Sequence, residues 1–347
     1  MTAVAAQPSP PGLRPERSRT DRARAVGVPI GVILGAIVLI RVTGLDDVGP
    51  VHNVLLIFAG LLVEALPFIL LGAIVSAAIE TFMPQSFFAR FARAPKPVQV
   101  GGAAFGGMLF PVCECGSVPV ARRLMLRGLA PTAAVTFMLA APIVNPIVIL
   151  STIFAYQGRE ILFLMVAGRV LMGLGVAITG GLVAGNAATH RAILGEPGGQ
   201  CHTGHDHDHR HGSRAAGFVE HMTFDFAFMA RFMMIGALIA ALIQTVVPQD
   251  AIDHVADTAV LAILAMMLLA FALALCSESD AILISSFVQF SPAAQLAFLV
   301  FGPMVDTKLA TLYSGAFGAR FARLLVPTVA LATFIACLWL EAIRRIG

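Results

Sequence analysis

Charge is scarce in this chain. Lys, Arg, Asp and Glu make up 12% of its 347 residues, about half of the roughly 25% usual in a soluble domain. That shortage excludes an ordinary water-soluble globule. It also excludes a basic nucleic-acid surface, because the formal net charge is only +3 and the Lys and Arg residues sit in short loops beside apolar runs. Strict alternation of apolar and polar residues is missing, which excludes the strands of a membrane barrel. Five cysteines give no disulfide framework, since Cys113, Cys115, Cys276 and Cys337 lie in or beside apolar segments. No Walker motif or other nucleotide site is present, so the chain does not energise itself with ATP.

What remains is 58% hydrophobic, with a mean hydropathy of +0.87. Inside hydrocarbon every backbone N–H and C=O needs an internal partner, and helices supply one within each segment. The chain therefore reads as an all-α, polytopic integral membrane protein. Residues 1–25, rich in Pro, Arg and Ser, read as a disordered cytoplasmic tail, and 26–45 as a first transmembrane helix behind a cluster of arginines. That places the N-terminus inside. A first block of helices covers 50–185, a polar His-rich cytoplasmic loop 186–223, and a second block 224–343. Ordinary spans are expected at 131–157, 161–185, 226–247, 258–275, 292–316 and 321–343. The glycine-rich stretch 98–112 is different. A full crossing there would strand Arg122, Arg123 and Arg127 outside, so a broken or re-entrant element is expected.

The two blocks repeat one another. FILLGAIVSAAIETFMP begins at residue 68, and FMMIGALIAALIQTVVP begins 164 positions later, at residue 232. Gly72 and Gly236 coincide, as do Ala77 and Ala241, Thr81 and Thr245, and Pro84 and Pro248. Further on, Cys113 corresponds to Cys276, and the Pro142–Asn145 run to Pro303–Asp306. By the charge of the flanking loops the leading helices of the two blocks point in opposite directions. Inverted repeats of helices with broken or re-entrant elements near the midplane are a recurring design of secondary transporters.

The chemistry gathers at the breaks. The first motif, Pro111-Val-Cys113-Glu114-Cys115-Gly-Ser117-Val-Pro119, has prolines on both sides and a glycine within, which interrupts a helix. Non-helical backbone at membrane depth is tolerated only inside protein or beside a water-filled cavity. Two thiols and a carboxylate there suit a soft cation or metalloid, or else the cysteines are inert and buried at a kink. The second motif, Cys276-Ser277-Glu278-Ser279-Asp280, puts two carboxylates in an apolar setting; either they serve a site or they are wetted at a loop end. The third element pairs Asn145, in Pro142-Ile-Val-Asn-Pro146, with Asp306 and Lys308. Asp306 and Lys308 either neutralise one another or take up and release protons. Glu64, before Leu66-Pro67, is a further candidate proton carrier, and Arg169 a candidate neutraliser of a carboxylate. The loop with Cys201, His202, His205, His207, His209 and His211 has the composition of a weak, flexible metal collector; a solvated segment of no function is the alternative. No resident cofactor is expected beyond a transient metal at those histidines.

Glu64-x-x-Pro67-Phe68-x-x-x-Gly72, the Pro-x-Cys-x-Cys-Gly run, the Ala-Pro-x-x-Asn-Pro run of 141–146 and Leu-Cys-Ser-Glu-Ser-Asp together resemble the predicted permease family that includes the organoarsenical efflux permease (ArsP-like). The resemblance spans about residues 50–343 and omits the tail. It implies a multi-pass permease of a bacterial cytoplasmic membrane that exports a soft metal or metalloid, with Cys113, Cys115 and Cys276 as the substrate thiols. The carboxylate between the cysteines and the His-rich loop also leave room for a divalent metal. Beyond the lipid bilayer and a small inorganic or organometal(loid) substrate, no partner is implied. Two other classes remain: a membrane thiol–disulfide oxidoreductase using the same cysteines, which leaves the repeat unexplained, and a metal sensor reading its ligand through the His loop.

Overall fold

A computed structural model describes residues 49–82, 93–109, 112–187, 214–246 and 258–346. The tail 1–25, the helix expected at 26–45, Pro111 and the histidines from His202 to His211 lie outside the described residues. The described residues form helices and no strand. In chain order these are α1 Gly49–Phe82, α2 Lys96–Leu109, α3 Glu114–Leu126, α4 Pro131–Val144, α5 Pro146–Ala155, α6 Leu162–Ala187, α7 Arg214–Val246, α8 Ala259–Leu273, α9 Asp280–Ser285, α10 Pro292–Phe301, α11 Thr307–Phe317 and α12 Ala319–Ile346. Among the described residues, five helical stretches are long and apolar enough to cross a membrane: Pro50–Phe82, Pro131–Ala155, Leu162–Asn186, Gly217–Val246 and Ala319–Arg345.

The intervening helices are too short to cross. The 14 residues of α2 rise about 21 Å, short of the ~30 Å of hydrocarbon. Its counterpart α8, expected at 258–275 as an ordinary span, has only 15 residues because the chain turns at Ala274. Each runs partway, then breaks, and each break has a local cause. Before α3, Cys113 is extended (φ −70°, ψ 175°). After α8, Ala274 turns into the left-handed region at φ 49°, which costs an L-residue energy and marks a held position. Between α4 and α5, Asn145 is extended and Pro146 has no N–H to continue the ladder. The stretch 292–316 was expected as one span. It divides into α10 and α11 at Gly302–Asp306, because Pro303 withholds a donor and Asp306 starts a new helix as its N-cap. The helix α7 also begins earlier than expected, at Arg214 inside the segment 186–223. Its first residues, Arg-Ala-Ala, favour helix despite the polar surroundings, and Phe218 packs on Phe82 at 6.2 Å between ring centroids.

The leading helices α1 and α7 lie side by side and run antiparallel. Ser76 Oγ donates to Asp225 Oδ2 (2.6 Å), so the late part of α1 meets the early part of α7. Ser76 and Phe82 lie as far past Phe68 as Asp225 and Phe218 lie before Phe232, to within one residue. Phe68 and Phe232 are repeat counterparts, so the two units meet about a midpoint at these phenylalanines. Other packings come in matched pairs: α2 on α4 and α8 on α10; α4 on α6 and α10 on α12; α3 on α11 and α9 on α5. The counterparts α4 and α10 form the centre. Every residue from Thr132 to Val144 is buried in α4, and every residue from Ala293 to Phe301 in α10.

Candidate functional site

Four helix starts define the site: α3, α5, α9 and α11. A helix N-terminus carries unpaired N–H groups and a partial positive charge, so carboxylates and amides are favoured there. Glu114 lies in the first turn of α3 and Asp280 in the first turn of α9. Asn145 caps α5 by accepting from Ile147 N (3.0 Å), and Asp306 caps α11 by accepting from Leu309 N (2.6 Å). The repeat counterparts Asn145 and Asp306 thus do the same local work.

The two sequence motifs meet directly. Ser277 Oγ donates to Glu114 Oε2 at 2.8 Å. Glu64 of α1 joins them by accepting from Ser279 Oγ at 3.2 Å. The charge of Glu114 acts on Cys115, Cys276, Glu278, Asp280, Asp306 and Lys308, so these groups form one electrostatic cluster. Its carboxyl groups, Glu64, Glu114, Glu278, Asp280 and Asp306, outnumber its cations, Lys308 and Arg169. An excess of acid in a low-dielectric setting favours cations or protons.

Two buried ion pairs in this cluster differ in quality. Arg169 and Asp280 are 1% and 2% exposed and pair in bidentate fashion, Nη1 to Oδ1 at 2.9 Å and Nη2 to Oδ2 at 2.7 Å. Arg169 also donates to Thr152 Oγ1 (2.9 Å) and to the Ser277 carbonyl (3.2 Å). Desolvating an ion costs several kcal/mol, and only good geometry with extra hydrogen bonds recovers it. This pair meets that condition and ties α6 to the second motif. Asp306 and Lys308 do not. Lys308 Nζ lies 3.9 Å from Asp306 Oδ2, and neither atom has a hydrogen-bond partner. Glu114 Oε1 and Glu278 Oε2 are orphaned in the same way. Unpaired buried polar atoms cost about 1–3 kcal/mol each, more when charged, so their concentration here marks a place built for something other than stability.

Sulfur lines the same region. Cys113 and Cys115 are both buried, two positions apart at the start of α3, Cys115 Sγ approaches Met233 Sδ of α7 at 3.8 Å, and Cys276 lies within electrostatic reach of Cys115. All four cysteines of the described residues are buried and free. No three His, Cys, Asp or Glu side chains among the described residues are assembled as a metal site.

The expected site residues separate by surroundings. Cys113, Glu114, Cys115, Cys276, Ser277 and Glu278 come together, with Asp306 and Lys308 beside them. Asp280 is committed to Arg169. Ser117 donates to the Glu114 carbonyl (2.8 Å) and the Met138 carbonyl (3.1 Å), which fastens α3 to α4. Met233 was not among the expected residues. Its signal was there: the repeat places Met233 opposite Ile69, a thioether where the first unit has a hydrocarbon. Asp225 is a second such residue. It accepts from Arg123 Nη2 at 2.9 Å, and Arg123 also pairs with Glu80 at 2.9 Å, which joins α1, α3 and α7.

The profile of a family described as a predicted permease matches residues 50–341. The protein YcgR of Bacillus subtilis (strain 168) is 38% identical over 279 residues, covering 79% of this chain and 92% of that one. A protein of Streptococcus mutans serotype c, described as a candidate subunit of a two-component membrane permease complex, is 34% identical over 287 residues, covering 82% of this chain and 93% of that one. No solved structure matches the chain.

Proposed function

Because the chain belongs to the predicted permease family, we propose that it is a secondary membrane permease, not an enzyme, that exports a soft metal or metalloid species by alternating access. The observation that carries this reading is the joining of the two motifs by Ser277 and Glu114 (2.8 Å), with thiols from both units beside the bond. A site made by two oppositely directed units can be opened from either side when one unit rocks against the other. Thiols and a thioether prefer soft ions or trivalent metalloids. Cys113, Cys115 and Cys276 are the proposed sulfur ligands, with Met233 at their edge and Glu114 and Glu278 compensating charge. Glu64, half-buried and bonded to the second motif through Ser279, is the proposed proton carrier.

The membrane is proposed to be the cytoplasmic one, with the N-terminus inside and the histidines from His202 to His211 collecting metal at the inner face. The relative described as a complex subunit adds a partner protein to this reading. The test is transport by everted vesicles bearing the wild type, Cys113→Ser or Cys276→Ser, with cadmium and trivalent methylarsenite as probes. The wild type should accumulate at least one probe, and each substitution should abolish that accumulation. Accumulation untouched by both substitutions sinks the assignment. A mixed disulfide trapped by either change would favour the oxidoreductase instead.

A further inference from the structure

Among the described residues, Lys308 is a cation buried without a hydrogen bond. It is 0% exposed, its Nζ has no hydrogen-bond partner, and its nearest carboxylate oxygen is 3.9 Å away. A lysine that served only to neutralise Asp306 would close that distance, because a short charge-assisted bond recovers much more of the desolvation cost. The Arg169–Asp280 pair, 2.7 Å apart at its shorter contact, demonstrates that this fold can build such a bond. The charged and titratable groups acting on Lys308 are Asp306 at the head of its own helix, Cys276 before α9, and Cys115 and Glu114 of α3. α7 meets it through Gly236, where a β-carbon would collide with the Lys308 backbone. The ammonium therefore stands among the acidic and sulfur groups of both motifs without being bonded to any one of them.

We propose that Lys308 is a tethered counter-cation, a positive charge belonging to the protein that holds the place of a cationic substrate while the site is empty. This rests on the soft-cation form of the reading above and names the electrical condition under which that site cycles. Bare carboxylates are costly at membrane depth, so an empty site without Lys308 would resist reorientation. With the ammonium among them the empty site carries one less uncompensated charge and returns. An incoming cation takes the same electrostatic position and displaces the ammonium along its flexible stem toward Asp306 Oδ2, which is unpaired and ready to accept it. Lys308 keeps its proton throughout; what changes is its place.

The test uses the purified full chain with Cd2+ as the probe, in detergent for binding and in proteoliposomes for flux. Lys308→Met should bind Cd2+ at least about tenfold more tightly than the wild type, since losing a competing charge worth about 1.4 kcal/mol changes affinity tenfold. It should retain Cd2+/Cd2+ exchange and lose net efflux, because the empty form no longer returns. If Lys308→Met alone fails to give a monodisperse protein, Asp306→Asn combined with Lys308→Met removes both halves of the pair and should show the same split between exchange and net efflux. Unchanged affinity with unchanged net efflux in the variant overturns the proposal. So does parallel loss of binding and exchange in a folded variant, which would make Lys308 structural. A wild type that binds methylarsenite but not Cd2+ overturns this inference and leaves the permease reading standing; a wild type that binds neither overturns both.

Discussion

The two repeat units share a plan and differ in how their leading helices are seated. Gly72 of α1 and Gly236 of α7 are counterparts, and each is a place where another backbone comes too close for a β-carbon. Yet Gly72 faces Gly116 of α3, whereas Gly236 faces Lys308 and Thr311 of α11. The leading helix of the first unit rests on its motif helix, and that of the second rests on its return helix. On the proposed alternating-access cycle this is one position of a two-position device, in which the units exchange arrangements as the site changes sides. Arg123, held by Glu80 at 2.9 Å and Asp225 at 2.9 Å, fastens the first arrangement where α1, α3 and α7 meet.

Substitutions at counterpart positions test that comparison. The largest effect is expected where the units differ most in charge, at Asp280 and its counterpart Ser117. Asp280→Asn leaves Arg169 buried against a neutral amide and should cost about 3–5 kcal/mol, while Ser117→Ala should cost about 1 kcal/mol. Thermal unfolding in detergent measures both, and equal losses would mean that Arg169 is not dependent on Asp280. Next come the glycines. Gly236→Ala and Gly72→Ala should each cost about 1–3 kcal/mol by overpacking. Gly236→Ala should also impair transport more per unit of stability lost, because it displaces the Lys308 backbone; transport normalised to folded protein decides. The smallest effect is at the caps. Asn145→Ala should lower stability by about 1 kcal/mol and leave transport near normal. Asp306→Asn should keep its cap, lose less stability than Asp280→Asn because no short bond to Lys308 is broken, and lose transport, since the carboxylate facing Lys308 has gone. Identical behaviour of the two would place Asp306 among the purely structural caps.

Much of this architecture was legible in the residues. Prolines and a glycine announced the break at Cys113 and the one at Asn145, because a missing donor acts locally and needs no tertiary information; the break at Ala274 has neither residue beside it and was not foreseen. The repeat at Gly72 and Gly236 and the pairing of Cys113 with Cys276 carried the opposed units. Less visible was anything decided by distance. Asp280 and Asp306 look alike in sequence, both acidic and both in apolar surroundings. Only the fold separates a carboxylate gripped by Arg169 from one left beside an unbonded lysine. The division of 292–316 was missed for a related reason: its hydropathy is continuous, and a single Pro303 does not reveal that Asp306 will start a second helix. Met233 was hidden because a methionine in an apolar helix reads as core until its sulfur is placed against Cys115.

The burial of α4 bears on how the protein is made. The most apolar 18 residues of the stretch Pro131–Ala155 have a mean hydropathy of 2.1, yet 78% of them are buried, against 22–33% for the corresponding parts of the other four described spans. Gly107 of α2 and Gly181 and Gly185 of α6 admit the α4 backbone so closely that a β-carbon on any of them would collide with it or its side chains. Its oiliness is thus hardly used against lipid in the finished molecule. It is used during synthesis, when the emerging segment must leave the insertion machinery for the bilayer before α6 exists to cover it. A polar residue placed on α4 would therefore act on biogenesis first, lowering the yield of inserted chains before any transporter has been assembled to fail.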